Sequence, residues 1–278
     1  MASVKTALTV AGSDPSGGAG IQADLKAFAG SGVYGLSVLT AITAQNSHGV
    51  QHAWALTGEQ VAAQIAQLNA DFAIHAMKTG MLANASIIQA LVENLPNCAL
   101  VVDPVLRASL GLDLLDSSGL RAAQTLLWPR ASLLTPNIPE AESILGLRIS
   151  GQPDMLRAAQ AFFDFGVSAV LIKGGHLSWN GSLPSECNDL LLVKADPAPI
   201  WLNGKRVAKK THGTGCVFSA LITAQLALGA PLVAAVQRAH SALHRALSAA
   251  HPMGERQRAS PDVFSKDYTN ADYDCTQG

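Results

Sequence analysis

The residues best placed for chemistry in this 278-residue chain are in Thr211–Cys216, THGTGC. Gly213 and Gly215 leave the backbone free to take positive φ, and successive amides at the start of a helix make an anion site. Such a site neutralises a transferring phosphoryl group without a P-loop lysine, because phosphoryl transfer asks mainly for positioning and charge stabilisation. Cys216 falls at the same helix start, where a thiol pKa drops below its usual value of about 8.5. A thiolate there accepts the proton of an attacking alcohol as general base. Spacing alone leaves open the alternative of a small cysteine packing the first helical turn.

Other candidates carry complementary chemistry. In TPNIPEAE (135–142), Asn137, Glu140 and Glu142 stand at the start of a helix. A carboxylate there stabilises by about 0.3–1 kcal/mol through the helix dipole, which accounts for Glu142 as a cap. Asn137 and Glu140, three apart with Asn137 at the expected cap position, suit instead a hydrated Mg²⁺, which takes one or two protein carboxylates and keeps several waters. Asp103 directly follows an apolar run in VVDPV, so its ionised form needs a partner, either a nucleotide metal or a neighbouring amide. Lys173 in LIKGGH precedes two glycines and is either a phosphate contact or a surface lysine. Gln45 in TAQN presents a donor and an acceptor together, which suits the edge of an aminopyrimidine-like ring. AGSDPSGGAGIQAD (11–24) has neither the ending of a P-loop nor a G-x-G-x-x-G fingerprint. Its Asp24, early in a helix, is expected to meet a polar ligand. The eight histidines, His176 among them, show no ligand spacing and read as structural or solvent-facing.

These residues need a frame. Short apolar runs, TALTVAGSD, YGLSVLTAITAQN, IHAMKTG, ALVVDPV, ASLLTPN and AVLIKGG, read as strands, with helical-period segments between them. TGEQVAAQIAQLNADF opens with a Thr57-x-x-Gln60 capping pattern. Near-continuous apolar strands separated by helices predict an α/β fold, a mostly parallel sheet covered on both faces. DLLLVKAD and PIWLNGKRVAKK read as a small antiparallel addition. Each chemical motif follows a predicted strand, where open parallel sheets bind ligands. The pattern predicts one domain over 1–255 and a polar tail over 256–278.

Composition narrows the function. A net charge of −1 leaves no global field for nucleic acid or membrane. Cys98, Cys187, Cys216 and Cys275 lack C-x-x-C or metal-like spacing, which reads as reduced thiols in the cytoplasm. The N-terminal stretch is too short and broken for a signal peptide. Residues 217–236 carry no charge, yet Gln225 and the Gly-Ala-Pro at 229–231 read as two packed helices rather than a membrane span.

Taken together, ALTVAGSDPSGGAGIQADLKAF, LTAITAQNSHGVQ, KTGML, VVDPV, TPNIPEAE, LIKGGH and THGTGC resemble the hydroxymethylpyrimidine/phosphomethylpyrimidine kinases of thiamine biosynthesis, within the ribokinase-like superfamily. The resemblance runs from about residue 7 to about 250 in the family's order. It implies a ribokinase-like three-layer α/β/α sandwich, usually a homodimer, in which ATP and Mg²⁺ phosphorylate 4-amino-5-hydroxymethyl-2-methylpyrimidine and then its monophosphate. By that resemblance Gly12, Asp24, Gln45 and Met81 line the pyrimidine site. Gly213, Thr214 and Gly215 form the anion hole with Cys216 as base, and Asp103, Asn137 and Glu140 organise metal and phosphates. Lys173 and Thr211 contact the nucleotide phosphates.

Two departures stand out. After DPV the family's usual lysine is missing and the chain reads LRASLGLDLLD, with Arg107 as the nearest replacement charge; arginine and lysine are not interchangeable. Lys209 and Lys210 precede THGTGC where a neutral approach is common. Two rivals remain open, a pyridoxal kinase of the same superfamily and a non-catalytic ligand-binding protein that kept the fold.

Overall fold

The computed structural model describes residues 4–108, 111–176, 186–207, 211, 213–254 and 258–264. In chain order the elements are β1 (Thr6–Ser13), α1 (Gly20–Gly30), β2 (Tyr34–Asn46), β3 (Gly49–Ala55), α2 (Gly58–Asp71), β4 (Ala76–Thr79), α3 (Ala85–Glu93) and β5 (Ala99–Val102). They continue with α4 (Ser117–Ala122), β6 (Leu133–Leu134), α5 (Ile138–Leu145), α6 (Gln152–Ala161), β7 (Ala169–Ile172), β8 (Glu186–Val193) and β9 (Asp196–Lys205). Last come α7 (Thr214–Ala227), α8 (Leu232–Ser248), β10 (His251–Met253) and β11 (Arg258–Ser260).

One nine-stranded sheet runs β3-β2-β1-β4-β5-β6-β7-β8-β9. Strands β2 to β7 in that order pair in parallel, while β3, β8 and β9 add antiparallel edges. Alternation within each strand separates two cores. In β1, Leu8 and Val10 join a core that includes Val61 and Ile65 of α2, Ile88 of α3 and Met155 of α6. Ala7 points the other way, into a core shared with Phe28 of α1, Leu221 of α7 and Val236 of α8. Helices thus cover both faces, the expected three-layer sandwich.

Local signals explain the helix starts. Thr57 and Gln60 close a capping box on α2, and Asn84 caps α3 through the Ile87 amide at 3.1 Å. The uncharged run after Cys216 becomes α7, buried on nearly every side against the sheet. Gly229, at φ 89°, turns the chain into α8, where Val236 and Leu243 are buried and Arg238 and Arg245 exposed. Among the described residues no helix is long and apolar enough to cross a membrane.

Some elements differ from the sequence expectation. The edge strand β3 was not anticipated, because QHAWA has too little alternation for a period to show. Residues 258–264, inside the expected tail, pack onto the domain. Ala259 and Val263 are buried, β11 pairs with β10, and Asp262 donates its amide to the Ala246 carbonyl at 2.9 Å.

Candidate active site

The ends of β1, β2, β4, β5, β6 and β7 open onto one cavity of about 660 Å³. All the site residues named from the sequence line it: Gly12, Asp24, Gln45, Met81, Asp103, Asn137, Glu140, Lys173, Thr211, Gly213, Thr214, Gly215 and Cys216. The roles expected from the sequence would make the Gln45 and Met81 side of this cavity a ring end and the head of α7 a phosphate end.

At the ring end, Asp14 organises the loop after β1. One of its carboxylate oxygens accepts from the Ser16 amide and hydroxyl at 2.9 and 2.7 Å, and the other from the Ala19 amide at 2.8 Å. Gly12 lies so close to Met81 that an added Cβ would come within 3.0 Å of its Sδ. Thr43 Oγ1 donates to the Ser13 carbonyl at 2.8 Å and lies 3.3 Å from Gln45 Oε1, so the two acceptors share its one proton. Asp24 differs from expectation. It is fully buried, accepting from Lys78 Nζ at 2.8 Å and Thr9 Oγ1 at 2.6 Å, so its partners come from the protein. Lys78 had not been singled out, although a lysine among the uniformly buried residues of AMKT is itself a signal.

At the phosphate end, Gly213 takes φ 74° at the N-cap of α7 and supplies no side-chain cap. The first helical bond runs from the Val217 amide to the Gly213 carbonyl, leaving the amides of residues 214–216 without carbonyl partners in the helix. Thr214 Oγ1 donates to Thr211 Oγ1 at 2.9 Å, and Thr211 forms a bridge with Ala259. Lys173 Nζ donates to Asp103 Oδ1 at 2.7 Å. A Cβ on Gly215 would meet Lys173 Nζ at 3.2 Å and Asp103 Oδ2 at 3.8 Å, so the ion pair faces the helix start directly. Burial lowers the Lys173 pKa, but Asp103 and Glu140 outweigh it and hold the ammonium charged.

Two expectations are corrected here. Asn137 and Glu140 cap each other: Asn137 Oδ1 accepts from the Glu140 amide at 2.9 Å and Glu140 Oε2 from the Asn137 amide at 2.8 Å. Glu142, expected as the cap, instead accepts from the Ile149 amide at 2.7 Å. The box still leaves Glu140 on the cavity wall, with burial pushing its pKa up to about 7, Lys173 opposing and Asp103 adding to the rise. Cys216 also departs from the lowered pKa expected of a helix start. Burial pushes the thiol up to about 11, opposed chiefly by Lys78. Desolvation of the charged form outweighs the helix field.

The departures from the family pattern settle differently. Arg107 lies on the cavity rim but is exposed and pairs with Asp113 at 2.6 Å. Lys209 and Lys210 lie outside the described residues. His244, read from sequence as structural or solvent-facing, lines the cavity and meets His240 edge-on with ring centroids 4.6 Å apart.

A phosphomethylpyrimidine kinase family profile matches residues 14–260. The hydroxymethylpyrimidine/phosphomethylpyrimidine kinase of Haemophilus influenzae is 43% identical over 268 residues, 94% of this chain and 97% of that protein. The crystal structure of phosphomethylpyrimidine kinase from Clostridium difficile superposes with a TM-score of 0.73 at 40% identity, covering 86% of this chain and 97% of that one. The pyridoxal kinase of Staphylococcus aureus in complex with AMP-PCP and pyridoxal superposes with a TM-score of 0.84 at 31% identity, covering 97% and 96%.

Proposed function

The chain belongs to the phosphomethylpyrimidine kinase family, and from that premise we propose that it transfers the γ-phosphoryl group of ATP to 4-amino-5-hydroxymethyl-2-methylpyrimidine and then to its monophosphate, in thiamine biosynthesis. The observation that carries this reading is the single cavity that joins the Gln45 and Met81 wall to the α7 amides. The pyrimidine ring lies against Gln45, Met81 and Gly12, with its hydroxymethyl group toward Cys216. Cys216 accepts the hydroxyl proton as the alcohol oxygen attacks phosphorus. The amides of Thr214, Gly215 and Cys216 hold the transferring group, and Lys173 and Thr211 hold the nucleotide phosphates.

Asp103 and Glu140 are the proposed Mg²⁺ residues, with Asn137 holding Glu140 in place. The donor set fits: both side chains line the cavity, and burial first, with Asp103 adding to it, disfavours the ionised Glu140 that a cation would favour. Mg²⁺ there would neutralise phosphate charge.

A non-catalytic homologue would be expected to have lost the base or the anion hole, and both are present. The pyridoxal reading is the weaker, because the relatives named for the pyrimidine are more similar in sequence. We also propose a homodimer, supported by the apolar patch of Ile42 and Trp54, paired neighbours on β2 and β3 that are both exposed. Light scattering of the purified chain tests it. The free Cys98, Cys187 and Cys216 support a cytoplasmic setting.

The deciding experiment measures ATP-dependent phosphorylation of the pyrimidine, its monophosphate and pyridoxal side by side, with Mg²⁺ and with EDTA. Turnover of both pyrimidines, lost with EDTA, is expected. Turnover of pyridoxal alone would overturn the substrate assignment.

A further inference from the structure

Lys78 is a fully buried ammonium in the middle of the sheet, where an ion pair seldom stabilises a fold more than apolar side chains of similar volume. Its position is closely specified. Lys78 on β4 is the register partner of Thr9 on β1, and both point toward α1. There they grip opposite oxygens of Asp24: Thr9 donates to Oδ2 at 2.6 Å and Lys78 to Oδ1 at 2.8 Å. Helix α7 packs across β1, β4 and β5, so the head of that helix and the buried pair line the same cavity.

We propose that Lys78 is a positioning residue for Cys216: its ammonium, fixed by Asp24, is the counter-charge that lets the thiol at the head of α7 ionise and accept the substrate proton. The inference rests on Cys216 acting as the base.

Four charged groups among the described residues act on Cys216 or it on them: Lys78 from β4, Asp24 from α1, Asp103 after β5 and Lys173 after β7. Asp24 and Asp103 disfavour a thiolate. Of the two cations, Lys173 is engaged with Asp103 at 2.7 Å at the phosphate end. After burial, Lys78 is the largest influence on the thiol; it lowers the pKa, as a backbone hydrogen bond with Gly20 does to a smaller extent, and it exceeds the opposite push of Asp24. Lys78 is in turn held protonated, since Asp24, Cys216 and Asp103 together outweigh its own burial. In the transfer, the thiolate takes the hydroxyl proton while the alcohol oxygen bonds to the γ-phosphorus. The bond from that phosphorus to the bridging oxygen breaks, and its electron pair leaves on ADP. Lys78 keeps its protons throughout.

The test reads the thiol directly. Alkylation of Cys216 by iodoacetamide in the full chain, followed on its own peptide by mass spectrometry, is measured against pH. Lys78→Met should move the curve to higher pH by at least about one unit, an approximately tenfold slower reaction at a fixed pH below the pKa. Because Lys78→Met leaves Asp24 buried without its cation, the Lys78→Met/Asp24→Asn double variant is measured beside it. It should shift in the same direction but less, and Lys78→Arg, which keeps the charge, should stay near wild type. A curve that does not move, or moves to lower pH, in whichever charge-removing variant folds overturns the proposal. Kinetics of Cys216→Ala separate this from the underlying reading. Retained turnover would remove Cys216 as base, whatever the alkylation curves show.

Discussion

Replacing Gly213 by alanine puts a methyl group 1.7 Å from the Gly18 carbonyl oxygen and 3.2 Å from the Ala19 Cα. Ordinary contact begins near 3.4 Å, so the loop after β1 and the head of α7 must part. The required movement is about 1.7 Å, since neither obstacle is a flexible side chain. A misplacement of about 1 Å in a reacting group can lower a rate by roughly 100-fold, so kcat should fall at least that far. The φ of 74° adds about 1–2 kcal/mol of backbone strain for a non-glycine residue. For a chain of this size that lowers Tm by roughly 2–8 °C. Gly229→Ala is the control: it carries the same kind of strain at φ 89° but meets nothing within 4 Å. Steady-state ADP release and thermal melts on both variants separate clash from strain. Gly229→Ala should lose some Tm and keep kcat, whereas Gly213→Ala should lose both. Near wild-type kcat in Gly213→Ala, or an equal kcat loss in both, would refute the idea that these two loops hold the reacting geometry.

Two further outcomes follow. Gln45→Leu should weaken pyrimidine binding and leave nucleotide affinity unchanged, as read by titration calorimetry with each ligand; equal loss of both would refute a ring-reading role. Burial raises Glu140 from an ordinary 4.5 to about 7. Between those values the folded chain holds a proton that the unfolded chain has released, so this group's contribution to stability declines as pH rises through that window. Glu140→Gln keeps an oxygen for the Asn137 amide and removes the decline. The Tm of the variant minus that of wild type should therefore grow from about pH 4.5 to 7; a constant difference would refute the assignment.

Much of this architecture could be read before any coordinates. The parallel strands announced themselves as apolar runs because both faces of the sheet are covered, and Thr57 and Gln60 marked a helix start by a local rule that tertiary context did not override. The cavity lining was legible for a related reason: each motif follows a strand that ends on the same side of the sheet. What stayed hidden depends on contacts remote in sequence. The pairing of Asp24 with Lys78 joins residues 54 apart, and nothing near Asp24 announces a cation. The Cys216 thiol shows the limit of a local rule, because at this helix start burial outweighs the influences that lower its pKa. Asn137 stands at the expected cap position in the sequence, yet Glu140, its partner in the capping box, reads there as a metal residue and Glu142 as a further cap.

The bridge from Thr211 to Ala259 gives the site a history as well as a shape. A ribosome makes the chain in one direction, so the loop after β1 emerges first and the turn at the head of α7 much later. That turn then waits for residues 258–263 to arrive, pair with β10 and settle beneath Gly30. A nascent chain can therefore have its whole sheet folded while the turn proposed to grip the phosphate still lacks this brace.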